Sequence, residues 1–79
     1  MLPIGKVIQD EINKSIFTQR EVISLVGSDS SAFNKLFNSK ISLTVKMALK
    51  FEKVFGEGKA SEWLHYQVDY LLWKVRDGK

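Results

Sequence analysis

The chain has no cysteine, one histidine and one proline in 79 residues. Without cysteine no disulfide can staple the fold. With His65 as the single imidazole, the usual structural zinc sites are also out of reach. A domain this short buries a modest share of its surface and usually needs a staple, a metal or a partner. Oligomerisation is the support that remains. No apolar run approaches the ~20 residues of a membrane span. The opening MLPIGKVIQDEI lacks the basic, apolar and small-residue blocks of a signal peptide. A cytoplasmic protein is therefore expected, with no membrane partner. Catalytic signatures are missing too: there is no cysteine nucleophile, G-x-S-x-G elbow, phosphate loop or metal-ligand cluster. An enzyme is not expected, nor is a cofactor or a metal.

What is present is an ordinary globular composition, 44% hydrophobic and 27% charged, with a net charge of +3. The pI near 9.3 is compatible with nucleic acid without demanding it. The apolar period is helical throughout, and no linker or repeat divides the chain, so one all-α domain over 1–79 is expected. Ile4, Val7, Ile8 and Ile12 lie on one face of a first helix of roughly three turns. Asp10, Glu11 and Lys14 take its other face, and the Asp10-Glu11 pair reads as surface.

The second helix has a marked start. Thr18 and Glu21 form a capping box, and Phe17 with Val22 fits the hydrophobic staple. Val22, Ile23 and Val26 face inward until Gly27, which can take the left-handed conformation that ends a helix. Asp29 is a good N-cap for a third helix, whose buried stripe is Phe33, Leu36 and Phe37 and which Asn38 and Ser39 close. Thr44 can cap a fourth helix with Met47, Ala48, Phe51, Val54 and Phe55 inward. The glycines of GEG at 56–58 turn the chain.

A fifth helix is expected over about 60–76 with two adjoining apolar sets. Leu64, Val68, Leu71, Leu72 and Val75 are expected to dock on the core. Trp63, Tyr66, Tyr70 and Trp73 would then face outward as a dimer or partner interface. The alternative is a helix sunk between the others with both sets internal. Lys46, Lys50 and Lys53 read as a solvated basic face, and His65 as a packed or interfacial side chain.

Helix, short glycine-containing turn and helix over about 18–38 is the helix-turn-helix pattern. The stretch resembles the Cro- and phage-repressor-like helix-turn-helix family. Thr18-Gln19 matches its S/T-Q opening, Val22 and Val26 its apolar positions, and Gly27 its turn glycine. Phe33 and Leu36 match the buried positions of its recognition helix, and Asn38-Ser39-Lys40 is similar to its Asn-Gly-Lys ending. The rest of the chain is similar to HigA-type antitoxins, the plasmid maintenance antidote proteins. LTVKMALKFEKVFG (43–56) matches at Met47-Ala48-Leu49 and Gly56. WLHYQVDYLLW (63–73) matches at Trp63, Leu64, Gln67, Tyr70, Leu72 and Trp73. IGKVIQDEI (4–12) matches at Gly5, Val7, Ile8 and Glu11. Departures are Ile23 where alanine is usual, Ser28 where an apolar residue is common, and Ser39 where glycine is common. The stretch between the fourth and fifth helices is one residue longer. Ile23 is expected to repack the crossing of the two motif helices or open its angle.

The resemblance implies a five-helix, lambda-repressor-like DNA-binding fold. In that architecture the third helix enters the major groove and the second lies across the backbone. Ser30, Ser31, Asn34 and Lys35 are the expected base readers, because Asn can pair with adenine and Lys can reach guanine. Gln19, Arg20, Asn38 and Lys40 are the expected phosphate contacts. Asp29 reads as a cap rather than a base contact. The expected partner is double-stranded operator DNA, an inverted repeat read by a homodimer. The resemblance also implies autorepression of an operon and a small toxin as partner. Two alternatives stand beside this: a module that neutralises a toxin without reading DNA, and a free-standing phage or plasmid regulator.

Overall fold

The computed structural model describes residues 2–27 and 30–78. Among them every regular element is a helix: α1 (Ile4–Lys14), α2 (Gln19–Val26), α3 (Ser30–Phe37), α4 (Val45–Phe55) and α5 (Lys59–Trp73). α5 runs on into a π-helical turn, Lys74–Gly78. The fold is all-α, and none of its described helices is long and apolar enough to cross a membrane. Asp29, the expected cap of α3, and Ser28 lie outside the described residues.

Side chains set most of the boundaries. Thr18 Oγ1 accepts a hydrogen bond from the Glu21 N–H at 3.1 Å, and Glu21 Oε1 accepts from the Thr18 N–H at 2.8 Å. This reciprocal box fixes the start of α2. Gly27 ends that helix at φ 66, in the left-handed region. At the end of α3 the Lys40 N–H donates to the Lys35 carbonyl at 2.8 Å and the Ser39 N–H to the Leu36 carbonyl at 3.0 Å. The two bonds form a Schellman closure, with Ser39 left-handed at φ 61 where glycine is the usual residue. Thr44 caps α4 by accepting from the Met47 N–H at 3.1 Å.

α5 starts at Gly58, which has no side chain to cap with. Glu52 of α4 does this instead, its carboxylate accepting from the N–H groups of Gly58 at 2.9 Å and Ala60 at 3.1 Å. An acidic group there also suits the positive end of the helix.

The core takes residues from all five helices and from Leu43 in the α3–α4 loop. Ile8, Ile12, Val22, Phe33, Leu36, Phe37, Phe51 and Trp63 are its largest fully buried side chains. The Phe51 ring meets Phe33 edge-on at 5.2 Å and Trp63 at 5.4 Å, so one aromatic run joins α3, α4 and α5. Such edge-to-face pairs contribute about 0.5–1.5 kcal/mol each beyond their buried area. α3 docks chiefly on α1, and α2 chiefly on α4. The α1–α3 approach depends on Gly5: a Cβ there would fall on the Leu36 carbonyl oxygen and stand 3.2 Å from the Phe37 Cα.

The expected roles of the two apolar sets on α5 are largely exchanged. Trp63, expected outside, is 1% exposed. Tyr66 is half-buried, its hydroxyl donating to the Leu2 carbonyl at 2.8 Å. Tyr70 and Trp73 are half-buried, with ring centroids 5.8 Å apart. Of the stripe expected to dock, Leu64 packs against the core while Val68, Leu71, Leu72 and Val75 are exposed. The inward line is Ala60, Trp63 and Gln67. Small Ala60 lets the helix approach, and Trp63 packs edge-on against Phe51 and Phe55.

Three smaller corrections follow from the same packing. α5 proper ends at Trp73 rather than near Arg76. Val75, Arg76 and Asp77, in the π-helical turn that follows, are exposed. His65 is exposed, with Ser61 Oγ 3.4 Å from its Nδ1, and is not packed within the chain. Glu11 is half-buried and not simply surface: it pairs with Lys59 Nζ at 3.2 Å, as does Glu62 at 3.2 Å. Burial disfavours the Lys59 ammonium, but its hydrogen bonds to Glu11 and Glu62 outweigh that and hold its pKa above the ordinary lysine value.

Candidate functional site

The capping box leaves the first N–H groups of α2 pointing out of the helix start. Intrahelical bonding begins with the Val22 N–H on the Thr18 carbonyl, and the Glu21 N–H is taken by the Thr18 side chain. The N–H groups of Gln19 and Arg20 are thus offered outward, as at any helix N-terminus. Gln19 is half-buried, and its Oε1 accepts from Gln9 Nε2 of α1 at 3.3 Å. That bond orients the side chain and leaves its amide N–H donors for another acceptor. Arg20 beside it is exposed. Glu21 adds a negative charge to the same turn, which Arg20 offsets.

An open groove runs between α2 and α3, lined by Gln19, Arg20, Ile23, Ser30 and Asn34. Four of the eight residues singled out for contact with DNA therefore share one concavity, two from each helix. Ile23 is half-buried, packs against the core and forms the apolar part of this lining.

The exposed face of α3 carries Ser30, Ser31, Asn34, Lys35 and, just past its end, Asn38. This follows from the burial of Phe33, Leu36 and Phe37 on the other face. The face has two amide side chains, hydroxyls and one lysine, so it can donate and accept hydrogen bonds but has little charge of its own. Lys40 is separated from this group. It lines another cleft, which Pro3, Ser39, Ile41, Gln67, Tyr70 and Lys74 also border.

Two basic residues of α4, Lys46 and Lys50, border a further, shallow concavity with Gly27, Ala32 and Thr44, beside the start of α3. Their i, i+4 spacing marks them as one stripe, and Thr44 as N-cap marks the helix start beneath them. What the pattern could not supply was the packing of α4 against α2, which sets the two lysines beside Gly27 and the Ala32–Phe33 side of α3.

Among the described residues no group of three or more acidic, histidine or cysteine side chains could hold a metal ion. Among the described residues the buried polar side chain is Gln67. Its Oε1 accepts from the Leu43 N–H at 2.6 Å and its Nε2 donates to the Leu43 carbonyl at 2.9 Å. Both partners are backbone groups, so Gln67 is a clamp on the α3–α4 loop. No family model matches this chain, and neither a curated protein nor a solved structure matches it.

Proposed function

We propose that this chain is a sequence-specific regulator that binds double-stranded DNA through α2 and α3 as a helix-turn-helix. The observation that carries the reading is the shared groove of Gln19, Arg20, Ser30 and Asn34. The outward N–H groups and side chains of Gln19 and Arg20 suit phosphate oxygens. Asn34 can pair bidentately with adenine, and Lys35 can reach guanine O6 or N7. Ser30 and Ser31 allow close approach. Asn38 and Lys40 are peripheral in this reading.

The likeness of the sequence to HigA-type antitoxins supports a regulator of its own operon, with a small toxin as protein partner. Fluorescence anisotropy with DNA from immediately upstream of the gene, against a scrambled duplex, tests it. Tight, salt-sensitive binding that prefers the upstream DNA is expected. Equal or absent binding to both duplexes would sink self-repression through that region. A second reading, a protein-interaction module that neutralises a toxin without reading DNA, draws on the exposed apolar residues of α5. Failure on both duplexes together with capture of the neighbouring gene's product would favour it.

A further inference from the structure

An ammonium group only donates hydrogen bonds, whereas a primary amide donates at one end and accepts at the other. Two glutamine side chains that face each other can therefore pair in either of two orientations. Between α1 and α2 a lysine removes that choice. Lys6 Nζ donates to Gln9 Oε1 at 3.4 Å, and Gln9 Nε2 donates to Gln19 Oε1 at 3.3 Å. With its oxygen turned to the ammonium, Gln9 presents its NH2 group to Gln19. Gln19 meets it with oxygen, and its own NH2 group is left for a third partner. Asp10, one turn along α1 from Lys6, does not divert the ammonium, because it pairs with Lys14 at 3.0 Å. Gln9 and Gln19 are half-buried, so their bond is partly shielded from competing water.

We infer that Lys6 and Gln9 form a polarity relay that fixes Gln19 as a hydrogen-bond donor toward a phosphate oxygen of duplex DNA. The inference rests on the reading of α2 and α3 as the DNA-binding pair. Gln19 lines the α2–α3 groove beside Arg20, at the helix start whose first N–H groups point outward. An ionised phosphate oxygen accepts and does not donate, so every group that meets it has to be a donor. A Gln19 amide turned the other way would set its carbonyl oxygen against the phosphate and replace attraction with repulsion. Lys6 and Gln9 touch no DNA in this arrangement. They are positioning residues on α1 that act through Gln19. Phosphate is common to all duplexes, so the relay raises affinity without changing sequence preference.

Fluorescence anisotropy of the full chain with the upstream and scrambled duplexes, read as a double-mutant cycle, is the experiment. Gln9→Met keeps the length of the side chain and removes its amide. It should weaken binding to both duplexes by about three- to tenfold, with an unchanged helical circular dichroism spectrum. The slope of log K against log salt should stay the same, since no charge is lost. In a Gln19→Met background the same change should cause no further loss. Lys6→Met should also weaken binding, and most of that loss should vanish in a Gln9→Met background. Lys6→Arg, which is again a pure donor, should bind like wild type. A Gln9→Met chain that binds as well as wild type, or losses that add in the Gln19→Met background, overturns the relay and leaves the DNA reading standing. A Lys6→Met loss that persists undiminished without Gln9 overturns the part given to Lys6. A wild type that binds neither duplex at low salt overturns the relay and the DNA reading together.

Discussion

Gly5 and Leu36 are in backbone contact: the bare Cα of α1 sits where any Cβ would collide with the Leu36 carbonyl at the end of α3. This contact sets how deeply α3 docks, because α1 is its principal support. Alanine has a helix propensity about 1 kcal/mol better than glycine, so an exposed Gly5→Ala would stabilise. Here the clash is with backbone, which cannot rotate away, and overpacking costs about 1–3 kcal/mol. Gly5→Ala should therefore lower the urea midpoint.

Gln67→Leu should cost more, about 2–4 kcal/mol, because it leaves both the N–H and the carbonyl of Leu43 buried without partners. Gln67→Glu offers a sharper check by urea titration at several pH values. A neutral carboxyl can accept from Leu43 N and donate to Leu43 O, whereas a carboxylate repels the carbonyl. The introduced acid would have a folded pKa above its unfolded value of about 4.3. Its contribution is then present at low pH and lost as pH rises through that window.

Ser39→Gly should raise the melting temperature. Ser39 occupies the left-handed C′ position of the Schellman closure at φ 61. Left-handed backbone costs a non-glycine residue about 1–2 kcal/mol. Part of that gain is offset by the greater freedom of glycine in the unfolded chain, so a net of about 0.5–1 kcal/mol is expected.

Lys59 supplies a pH-dependent contribution on the alkaline side. Its pKa is raised, so the pairing with Glu11 and Glu62 is fully present below the unfolded value of about 10.4 and is lost as pH rises through the folded value. Lys59→Met should reduce stability by about 0.2–1 kcal/mol near neutral pH. The difference from wild type should shrink when melting is followed above about pH 10.4.

Two substitutions separate reading from positioning on the proposed DNA face. Asn34→Ala should relax preference at one base pair by about 1–3 kcal/mol in anisotropy competition. Arg20→Ala should weaken all duplexes alike and reduce the slope of log K against log salt by about 1. Equal effects of both on cognate and scrambled DNA would remove Asn34 from the readers.

The helix starts and stops were legible in the sequence because they are local chemistry. Thr18 with Glu21, Gly27 and Thr44 act on groups within a few residues, so their roles survive without knowledge of the fold. The exposed face of α3 was legible for a related reason. Once Phe33, Leu36 and Phe37 are assigned inward, Ser30, Ser31, Asn34 and Lys35 have only the other side to occupy.

Tertiary packing decided what no local rule reaches. Two apolar arcs on α5 are equally good candidates for burial by periodicity. Only the space beside Phe51 and Phe55, shaped by α4, selects Trp63 for the core and leaves Leu71 and Leu72 outside. The Gln67–Leu43 clamp spans 24 positions, and the Glu52 cap on α5 is provided by a neighbouring helix. Hydrophobic period is a property of one helix taken alone. Which arc turns inward, and which polar group meets which backbone, depends on the shape of surfaces that exist only after the other helices have packed.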